Sequence, residues 1–432
     1  MMIKFTNCII LATGENDEFE TLRNSVLCVK NDIIEYIGPE EGAPEADEVK
    51  DMDGAVLMPG LVNAHGHGPM TLLRGIGGGL ALQEWLETAI FPIEEKLVPL
   101  DIEIGERWAV AEMLKCGTTC VSEMYDFPSN TGKVLLETGI KGNISRVGLS
   151  FSDEDEIPKG RLKECIDFVK DWNDDTGRVM AEFCLHSEYL TKEKFVRSIA
   201  EANNSLKKNV NVHVSETLKE HTECKERHQG KTPIQYLNEC GILDSNTYCA
   251  HCVWVEDEDI RIMNEKKVSA VFNPSSNCKL ASGFAPMDVM NEKGVNTAIG
   301  TDGVASNNNL NMFEEMHLAS LLIKNRAADA TKAKAGEILK WATVNGAKAM
   351  GRFDTGEIKK GKKADIIAVS LKEPHMFPAF SIPDILVYAA QGSDVVMTMV
   401  DGRILYENKE FKTIDIEKAR FDMEKSLKRL YS

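Results

Sequence analysis

The sequence predicts an α/β protein in which a (β/α)8 barrel is joined to a small β-sandwich built from both termini. Two observations lead to this prediction. Over residues 59–351, short apolar strands alternate with helical stretches, and such alternation over roughly 250 residues or more is the pattern of a parallel barrel. At both ends, the chain instead shows short strands and tight turns. A length of 432 residues accommodates one large barrel and a smaller second unit.

The first part of the sandwich is expected within residues 1–58. The dipeptide Asn31-Asp32 lies between two apolar runs and predicts a hairpin turn. Gly38-Pro39 then ends the second of these runs. The strands predicted here are residues 3–12, 25–29, 33–37 and 55–58.

The barrel is expected over residues 59–351, and polar residues stand where many of its predicted strands stop. Because the active sites of barrel enzymes lie at the carboxyl ends of the strands, these positions are the first place to look for chemistry. The candidate strand ends are His65, Glu123, Leu149, His186, His213, His251, Asn273 and Asp302.

The rest of the sandwich is expected within residues 352–412. A turn followed by an apolar run predicts one strand there, and Asp401-Gly402 predicts the turn of a hairpin. Residues 413–432 have a helical pattern, with Asp415 as the predicted N-cap.

The composition indicates which classes of partner are unsuitable and which cellular compartment to expect. The net charge of −18 argues against nucleic acid or an anionic membrane as a partner, since both would need a basic patch. No apolar run reaches the length of a membrane span, and the N-terminus lacks a secretory cleavage pattern. The 11 scattered cysteines fit a reducing compartment. We therefore expect a cytoplasmic protein that acts on a small molecule.

The stretch PGLVNAHGHGPM, residues 59–70, contains the histidines His65 and His67 at the end of an apolar run. Residues two apart in a strand point to the same side, so both imidazoles can serve one metal ion. An isolated His-x-His motif is equally compatible with two histidines on an exposed loop.

Further metal-competent residues follow other predicted strands. His213 ends the run NVNVHV, His251 ends TYCAH, and Asp302 follows VNTAIGT. Each has a structural alternative: a histidine can be hydrogen-bonded in the core, and Asp302 before a glycine can begin a turn. Taken together, His65, His67, His213 and Asp302 form a nitrogen-rich set that suits Zn²⁺ or a similar divalent metal.

Five segments in this order resemble the amidohydrolase superfamily: PGLVNAHGHGPMTLLRG, HVSET, AHCVW, NPSSNCKL and GTDGVASNNNLNMFEEM. The most similar subgroup is the S-adenosylhomocysteine/5′-methylthioadenosine deaminases, which are related to the triazine hydrolases and guanine deaminases. The resemblance implies one divalent metal ion per subunit, Zn²⁺ first and Fe²⁺ or Mn²⁺ as alternatives. It also implies hydrolytic deamination of adenosine-type nucleosides and association into a homo-oligomer.

The resemblance assigns roles to the residues that match these motifs. It makes His65, His67, His213 and Asp302 the metal ligands. Glu216 would move protons between the attacking water and the purine ring, and His251 would orient that water, with Asp302 as the general base. A two-metal member would use a lysine near the end of the fourth strand, where HVSET offers His and Glu instead. One metal is therefore expected.

The same resemblance assigns substrate recognition. Glu94 would bind the ribose hydroxyls, whereas without the resemblance it would be an ordinary helix carboxylate. Arg146 and Arg161 would bind the homocysteine carboxylate, for which a guanidinium is suited because it donates two parallel hydrogen bonds. Each arginine alone is equally a surface charge. The further residues assigned to substrate binding are Trp85, His186, Glu216 and Ser306.

Two departures from the family pattern leave the substrate open. The glycine-rich loop at residues 75–79 predicts a flexible lid, and Phe272 is expected to change the cavity lining near the seventh strand. The alternative function is deamination or dechlorination of another amino-heterocycle such as guanine, 8-oxoguanine, cytosine or a triazine. A non-catalytic binding barrel is the remaining alternative.

Overall fold

The structure is a computed structural model that describes residues 1–80, 82–150 and 160–432. Its strands form two sheets, one of eight strands and one of nine. The eight strands are all parallel to their neighbours and follow one another in sequence order. The predicted fold class, a (β/α)8 barrel with a second β unit from both termini, is confirmed. The barrel strands are β6 (Leu61–Gly66), β7 (Thr118–Tyr125), β8 (Lys141–Arg146), β9 (Val179–Leu185), β10 (Val210–Val214), β11 (Thr247–His251), β12 (Ser269–Phe272) and β13 (Asn296–Ile299).

The barrel closes between its first and last strands, β6 and β13. The Asp302 backbone N–H donates to the His65 carbonyl at 2.9 Å, just beyond the end of β13. Gly66 and Asp302 form a parallel bridge at the same place. The seam of the barrel therefore lies at the residues that the sequence analysis assigned to the metal.

The second sheet combines strands from both ends of the chain. Its order is β17-β16-β15-β14-β5-β1-β2-β3, and β4 pairs with β1. The two halves meet where β5 pairs antiparallel with β14, and apolar side chains from both halves share one core. The sheet strands are β1 (Met2–Thr13), β2 (Phe19–Lys30), β3 (Ile33–Gly38), β4 (Glu48–Asp51), β5 (Val56–Pro59), β14 (Ile366–Val369), β15 (Val395–Val400), β16 (Arg403–Glu407) and β17 (Glu410–Phe411).

Helices cover the outside of the barrel, as expected for parallel strands buried on both faces. The last helix begins after Asp415, whose side chain accepts a hydrogen bond from the Lys418 backbone N–H at 3.0 Å, so the predicted N-cap is confirmed. The helices are α1 (Leu82–Trp85), α2 (Phe91–Glu94), α3 (Pro99–Lys115), α4 (Pro128–Thr138), α5 (Arg161–Asp171), α6 (Glu193–Leu206), α7 (Leu218–Arg227), α8 (Pro233–Glu239), α9 (Asp257–Lys266), α10 (Pro274–Lys279), α11 (Met287–Glu292), α12 (Met312–Ala327), α13 (Ala335–Trp341), α14 (Val344–Ala349), α15 (Ile382–Tyr388) and α16 (Ile416–Leu430).

Three details differ from the sequence expectations. The segment HVSET follows the fifth barrel strand, β10, whereas the fourth strand, β9, is followed by His186. The third strand, β8, ends at Arg146 rather than at Leu149. The short strand β4 was not predicted, because its alternating charged sequence EVKD gives little apolar signal. In the part of the chain that the structure describes, no helix has both the length and the apolar character needed to cross a membrane.

A buried polar network lies inside the barrel around Glu182 on β9. The Glu182 carboxylate accepts hydrogen bonds from the Tyr248 hydroxyl and, at 2.7 Å, from the Asn143 amide. Arg352 donates to the Asn143 amide oxygen at 2.9 Å. Burial raises the pKa of Glu182 to about 7, although these hydrogen bonds work in the opposite direction.

This shifted pKa predicts how stability depends on pH. Between pH 4.5, the ordinary pKa, and about 7, folded Glu182 keeps its proton while the unfolded chain loses it. The folded state is therefore destabilised as pH rises through this window. Thermal unfolding at the two ends of the window should show that wild type loses stability relative to Glu182→Gln. A difference between the two proteins that does not change with pH would contradict this.

Candidate active site

The first two candidate ligands lie at the carboxyl end of the first barrel strand. His65 is on β6 and His67 follows it immediately. Their rings have centroids 4.8 Å apart and planes at 85° to each other. Both imidazoles therefore face the same space at the seam of the barrel, as their i, i+2 spacing predicts.

The structure brings His213 and Asp302 to the same space from strands five and eight. His213 Nε2 lies 3.1 Å from His65 Nε2. Asp302 Oδ1 lies 3.2 Å from His67 Nε2 and 3.7 Å from His65 Nε2. The structure thus forms two overlapping sets whose possible ligand atoms lie within 4.8 Å of one another: His65, His67 and Asp302, and His65, His213 and His251.

The hydrogen bonds of these histidines define which ring nitrogens are free. Nδ1 of His67 bonds to the Met124 carbonyl, and Nδ1 of His213 bonds to the His186 carbonyl, each at 2.7 Å. Because a carbonyl only accepts, Nδ1 carries a hydrogen in both rings, so Nε2 carries a lone pair whenever the ring is neutral. The Nε2 of His213 faces an imidazole nitrogen and that of His67 faces a carboxylate oxygen, an arrangement that a cation between these atoms satisfies. The donor set therefore fits a divalent metal such as Zn²⁺.

The pKa shifts of His65, His213 and Asp302 agree with a ligand role, whereas for His67 burial acts to lower the pKa but the Asp302 carboxylate raises it. Burial, followed by the nearby histidines, holds the pKa of both His65 and His213 well below the usual range. For Asp302, burial acts to raise the pKa, but the hydrogen bond from His67 and the neighbouring histidines hold it well below its ordinary value. Metal binding needs neutral imidazoles and an ionised carboxylate.

Hydrogen bonds also fix the orientation of Asp302. Its Oδ2 accepts from the Ser276 hydroxyl at 2.6 Å and from the Ser306 hydroxyl at 3.1 Å. Its Oδ1 accepts from the Gly303 backbone N–H at 2.7 Å. Asp302 has φ of +61°, a left-handed conformation that is costly for a non-glycine residue and is found mainly at functional sites. Ser306 therefore contacts a candidate ligand in addition to lining the cavity.

Glu216 and His251 stand beside this set. His251 Nε2 lies 3.8 Å from Glu216 Oε2, and His251 Nδ1 bonds to the Asn277 amide oxygen at 2.8 Å. The Ser282 hydroxyl donates to Glu216 Oε1 at 3.4 Å. Burial raises the pKa of Glu216, which favours a carboxyl group that can carry a proton.

A cavity extends from these residues to the surface, and most of the predicted substrate-binding residues line it. They are Trp85, Glu94, His186, Glu216 and Ser306. Among the described residues, Arg146 and Arg161 do not line this cavity. Both donate hydrogen bonds to Asp126, which does line it. Phe272 is buried in the apolar core and is absent from the described lining, so the expectation that it changes the cavity was wrong.

Tyr125 and Asp126 are site residues that sequence reasoning missed. The Tyr125 hydroxyl donates to Glu94 Oε1 at 2.5 Å, and both side chains line the cavity. The two residues end and follow the second barrel strand, so the strand-end argument that found His65 would have found them had it been applied to aromatic and acidic side chains alike.

A second unpredicted feature is a pair of buried carboxyl groups, Glu106 and Glu123, on either side of Gly68. The Gly68 backbone N–H donates to Glu123 Oε2 at 2.7 Å, and a Cβ at Gly68 would lie only 2.4 Å from Glu106 Oε2. Burial raises the pKa of Glu123 to about 7 and that of Glu106 well above its ordinary value. A side chain at position 68, directly after the candidate ligand His67, would therefore have to displace the Glu106 carboxyl group.

The predicted lid at residues 75–79 packs against the cavity wall. The Trp85 indole N–H donates to the Ile76 carbonyl at 3.1 Å. Gly77 has φ of +69°, and a Cβ there would lie 2.7 Å from the Trp85 ring. The loop is thus tied to a lining residue, while its motion remains a prediction.

The sequence profile described as the Amidohydrolase family matches residues 56–405, which include every candidate ligand. The chain belongs to the amidohydrolase family. The resemblance found in the sequence motifs is confirmed.

Similar proteins match this amidohydrolase over most or all of its length. A 5-methylthioadenosine/S-adenosylhomocysteine deaminase of Thermoanaerobacter pseudethanolicus is 40% identical over 432 residues, covering 100% of this chain and 99% of the relative. A 5′-deoxyadenosine deaminase of Methanosarcina acetivorans is 41% identical and covers 92% of this chain and 91% of its own. The solved structure of an adenosine deaminase from Xanthomonas campestris with bound zinc has a TM-score of 0.92, with 31% identity and coverage of 100% and 98%.

The candidate ligand set predicts the metal content of the protein. After incubation with zinc and dialysis, elemental analysis should find about one ion per chain in wild type and a loss of at least about tenfold in His213→Ala. The matched control is His317→Ala, which removes a histidine of α12 that lies beside Tyr388. Full zinc retention in His213→Ala, or equal loss in both variants, would contradict the assignment.

Proposed function

We propose that this amidohydrolase removes the 6-amino group of adenosine-type nucleosides by hydrolysis, giving the inosyl product and ammonia. The observation that carries the proposal is one cavity lined by three of the four candidate ligands, His67, His213 and Asp302, together with Glu216 and Glu94. The relatives named as deaminases of 5-methylthioadenosine, S-adenosylhomocysteine and 5′-deoxyadenosine support the same substrate class.

In this proposal His65, His67, His213 and Asp302 hold one divalent metal ion, with zinc favoured by the donor set and by the zinc-bound relative. When bound, the metal lowers the pKa of water and so supplies a nucleophile at neutral pH. Asp302 accepts a proton from the attacking water as the general base. His251, held by Asn277, orients that water.

Glu216 handles the second proton. Its raised pKa lets it donate to the purine ring nitrogen next to the reacting carbon, so that the carbon accepts the oxygen nucleophile. Asp302 then passes the proton it took from water to the departing amine, and Glu216 takes a proton back from the oxygen now bound to the carbon. A C–O bond forms, the C–N bond breaks, and ammonia leaves.

Glu94 favours a nucleoside over a free base. Its carboxylate can accept hydrogen bonds from the two ribose hydroxyls while the Tyr125 hydroxyl holds its Oε1. Trp85 and His186 line the same cavity and supply flat surfaces for the purine. A free base such as guanine would leave the carboxylate without this partner.

We also propose the cytoplasm as the compartment and a homo-oligomer as the assembly. All 11 cysteines are free, which supports a reducing environment.

A substrate panel tests the proposed function. Zinc-loaded wild type should release ammonia from 5′-methylthioadenosine, S-adenosylhomocysteine, 5′-deoxyadenosine or adenosine, with the absorbance change of adenine to hypoxanthine. Glu216→Gln should keep its zinc but lose at least about a hundredfold in kcat, because its amide cannot carry the proton.

The control is Glu223→Gln, which removes a carboxylate of α7 whose side chain is 43% exposed and should leave kcat unchanged. Ammonia release from guanine, cytosine or a triazine, with none from any adenosine nucleoside, would overturn the proposed function. Full activity of Glu216→Gln would overturn the role of Glu216.

A further inference from the structure

A cluster of charged residues lies where the candidate cavity reaches the surface. Asp126 follows the second barrel strand and lines the cavity, and its side chain is 40% exposed. Its Oδ1 accepts a 2.7 Å hydrogen bond from Arg161 and a second hydrogen bond from Arg146. One carboxylate oxygen of the protein therefore engages both arginines that were expected to bind a substrate carboxylate.

The second carboxylate of the cluster is Glu164, on the first turn of α5. Its Oε2 accepts from Arg146 at 3.0 Å and 2.9 Å. Among the described residues of the cluster, two guanidinium groups thus face two carboxylates. Arg161 also donates to the Val147 carbonyl at 3.3 Å, which fixes it further. A substrate carboxylate entering here finds these donors already engaged.

Three further described lining residues at this end of the cavity, Phe127, Val147 and Leu149, are apolar. Their side chains suit a small uncharged group and offer no hydrogen-bond donor to an anionic one.

The position of this surface follows from the proposed function, on which the inference rests. With the reacting carbon of the purine at Glu216 and the ribose at Glu94, the 5′ substituent lies beyond the ribose. Tyr125 bonds to Glu94, and Asp126 is the next residue. The 5′ group therefore points to the charged cluster and its apolar neighbours.

We propose that Asp126 is a specificity-determining residue that occupies Arg146 and Arg161 and so selects adenosine nucleosides with a small uncharged 5′ substituent. The zwitterionic tail of S-adenosylhomocysteine can place its carboxylate on these arginines only by displacing Asp126 from both guanidinium groups and bringing that carboxylate close to the negative charge of Asp126. A methylthio group or a 5′ hydrogen displaces no ion pair and brings no negative charge near Asp126. The preferred substrates are then 5′-methylthioadenosine and 5′-deoxyadenosine.

The test compares kcat/KM for 5′-methylthioadenosine, for S-adenosylhomocysteine, and for a 5′-(3-carboxypropylthio) analogue that has the carboxylate but no ammonium group. In Asp126→Asn, kcat/KM for both carboxylate substrates should rise about tenfold relative to 5′-methylthioadenosine, because the two guanidinium groups then face only the Glu164 carboxylate and carry one unmatched positive charge. Asp126→Ala, which also removes the hydrogen-bonding oxygen, should give the same change.

Asp167→Asn is the matched control, since Asp167 lies on α5 with a side chain 41% exposed and pairs with Lys163 outside the described cavity lining. Its substrate ratios should equal those of wild type. An unchanged or lower ratio for either carboxylate substrate in the Asp126 variants, or an equal rise in Asp167→Asn, overturns the inference. If wild type deaminates no adenosine nucleoside, the proposed function is overturned instead. The two outcomes are distinguishable because the inference is tested in the Asp126 variants and the proposed function in wild type.

Discussion

The candidate site depends on the contact that closes the barrel, the hydrogen bond from the Asp302 backbone N–H to the His65 carbonyl. This bond joins the last barrel strand to the first and carries a carboxylate and an imidazole into the same space. Asp302 must adopt a left-handed backbone to make it, and the hydroxyls of Ser276 and Ser306 then fix the carboxylate. Fold and ligand geometry are thus set by the same few atoms.

The residues proposed for catalysis and those proposed for substrate selectivity lie in different parts of the cavity. The groups that can hold a metal or move a proton lie at or just beyond the ends of strands one, five, six and eight, and all of them except His67 are buried. The groups proposed to recognise the sugar and its 5′ substituent come from the second and third strands and from α2. Substitutions around Asp126 can therefore change substrate preference without altering the metal ligands, as expected for a barrel that carries its function on separate loops.

The sequence predicts the barrel because parallel strands buried on both faces give apolar runs that alternate with helices. It predicts the histidines because strand periodicity places His65 and His67 on one side. It could not predict that β4 joins the terminal sheet, since three of its four residues are charged and Val49 alone gives little apolar signal. Nor could it place Arg146 and Arg161 against Asp126, because that contact depends on the relative height of two strand ends and the start of α5. The proximity of Glu106 and Glu123 on either side of Gly68 likewise depends on tertiary packing, which the sequence pattern does not reveal.

The central claim is that one metal ion binds at the barrel seam. Anomalous diffraction at the zinc absorption edge, from crystals of zinc-loaded protein, tests this most directly. We predict a single anomalous peak per chain, within bonding distance of His65, His67, His213 and Asp302. A peak held by other residues, two peaks at this site, or no peak there in fully loaded protein would contradict the account.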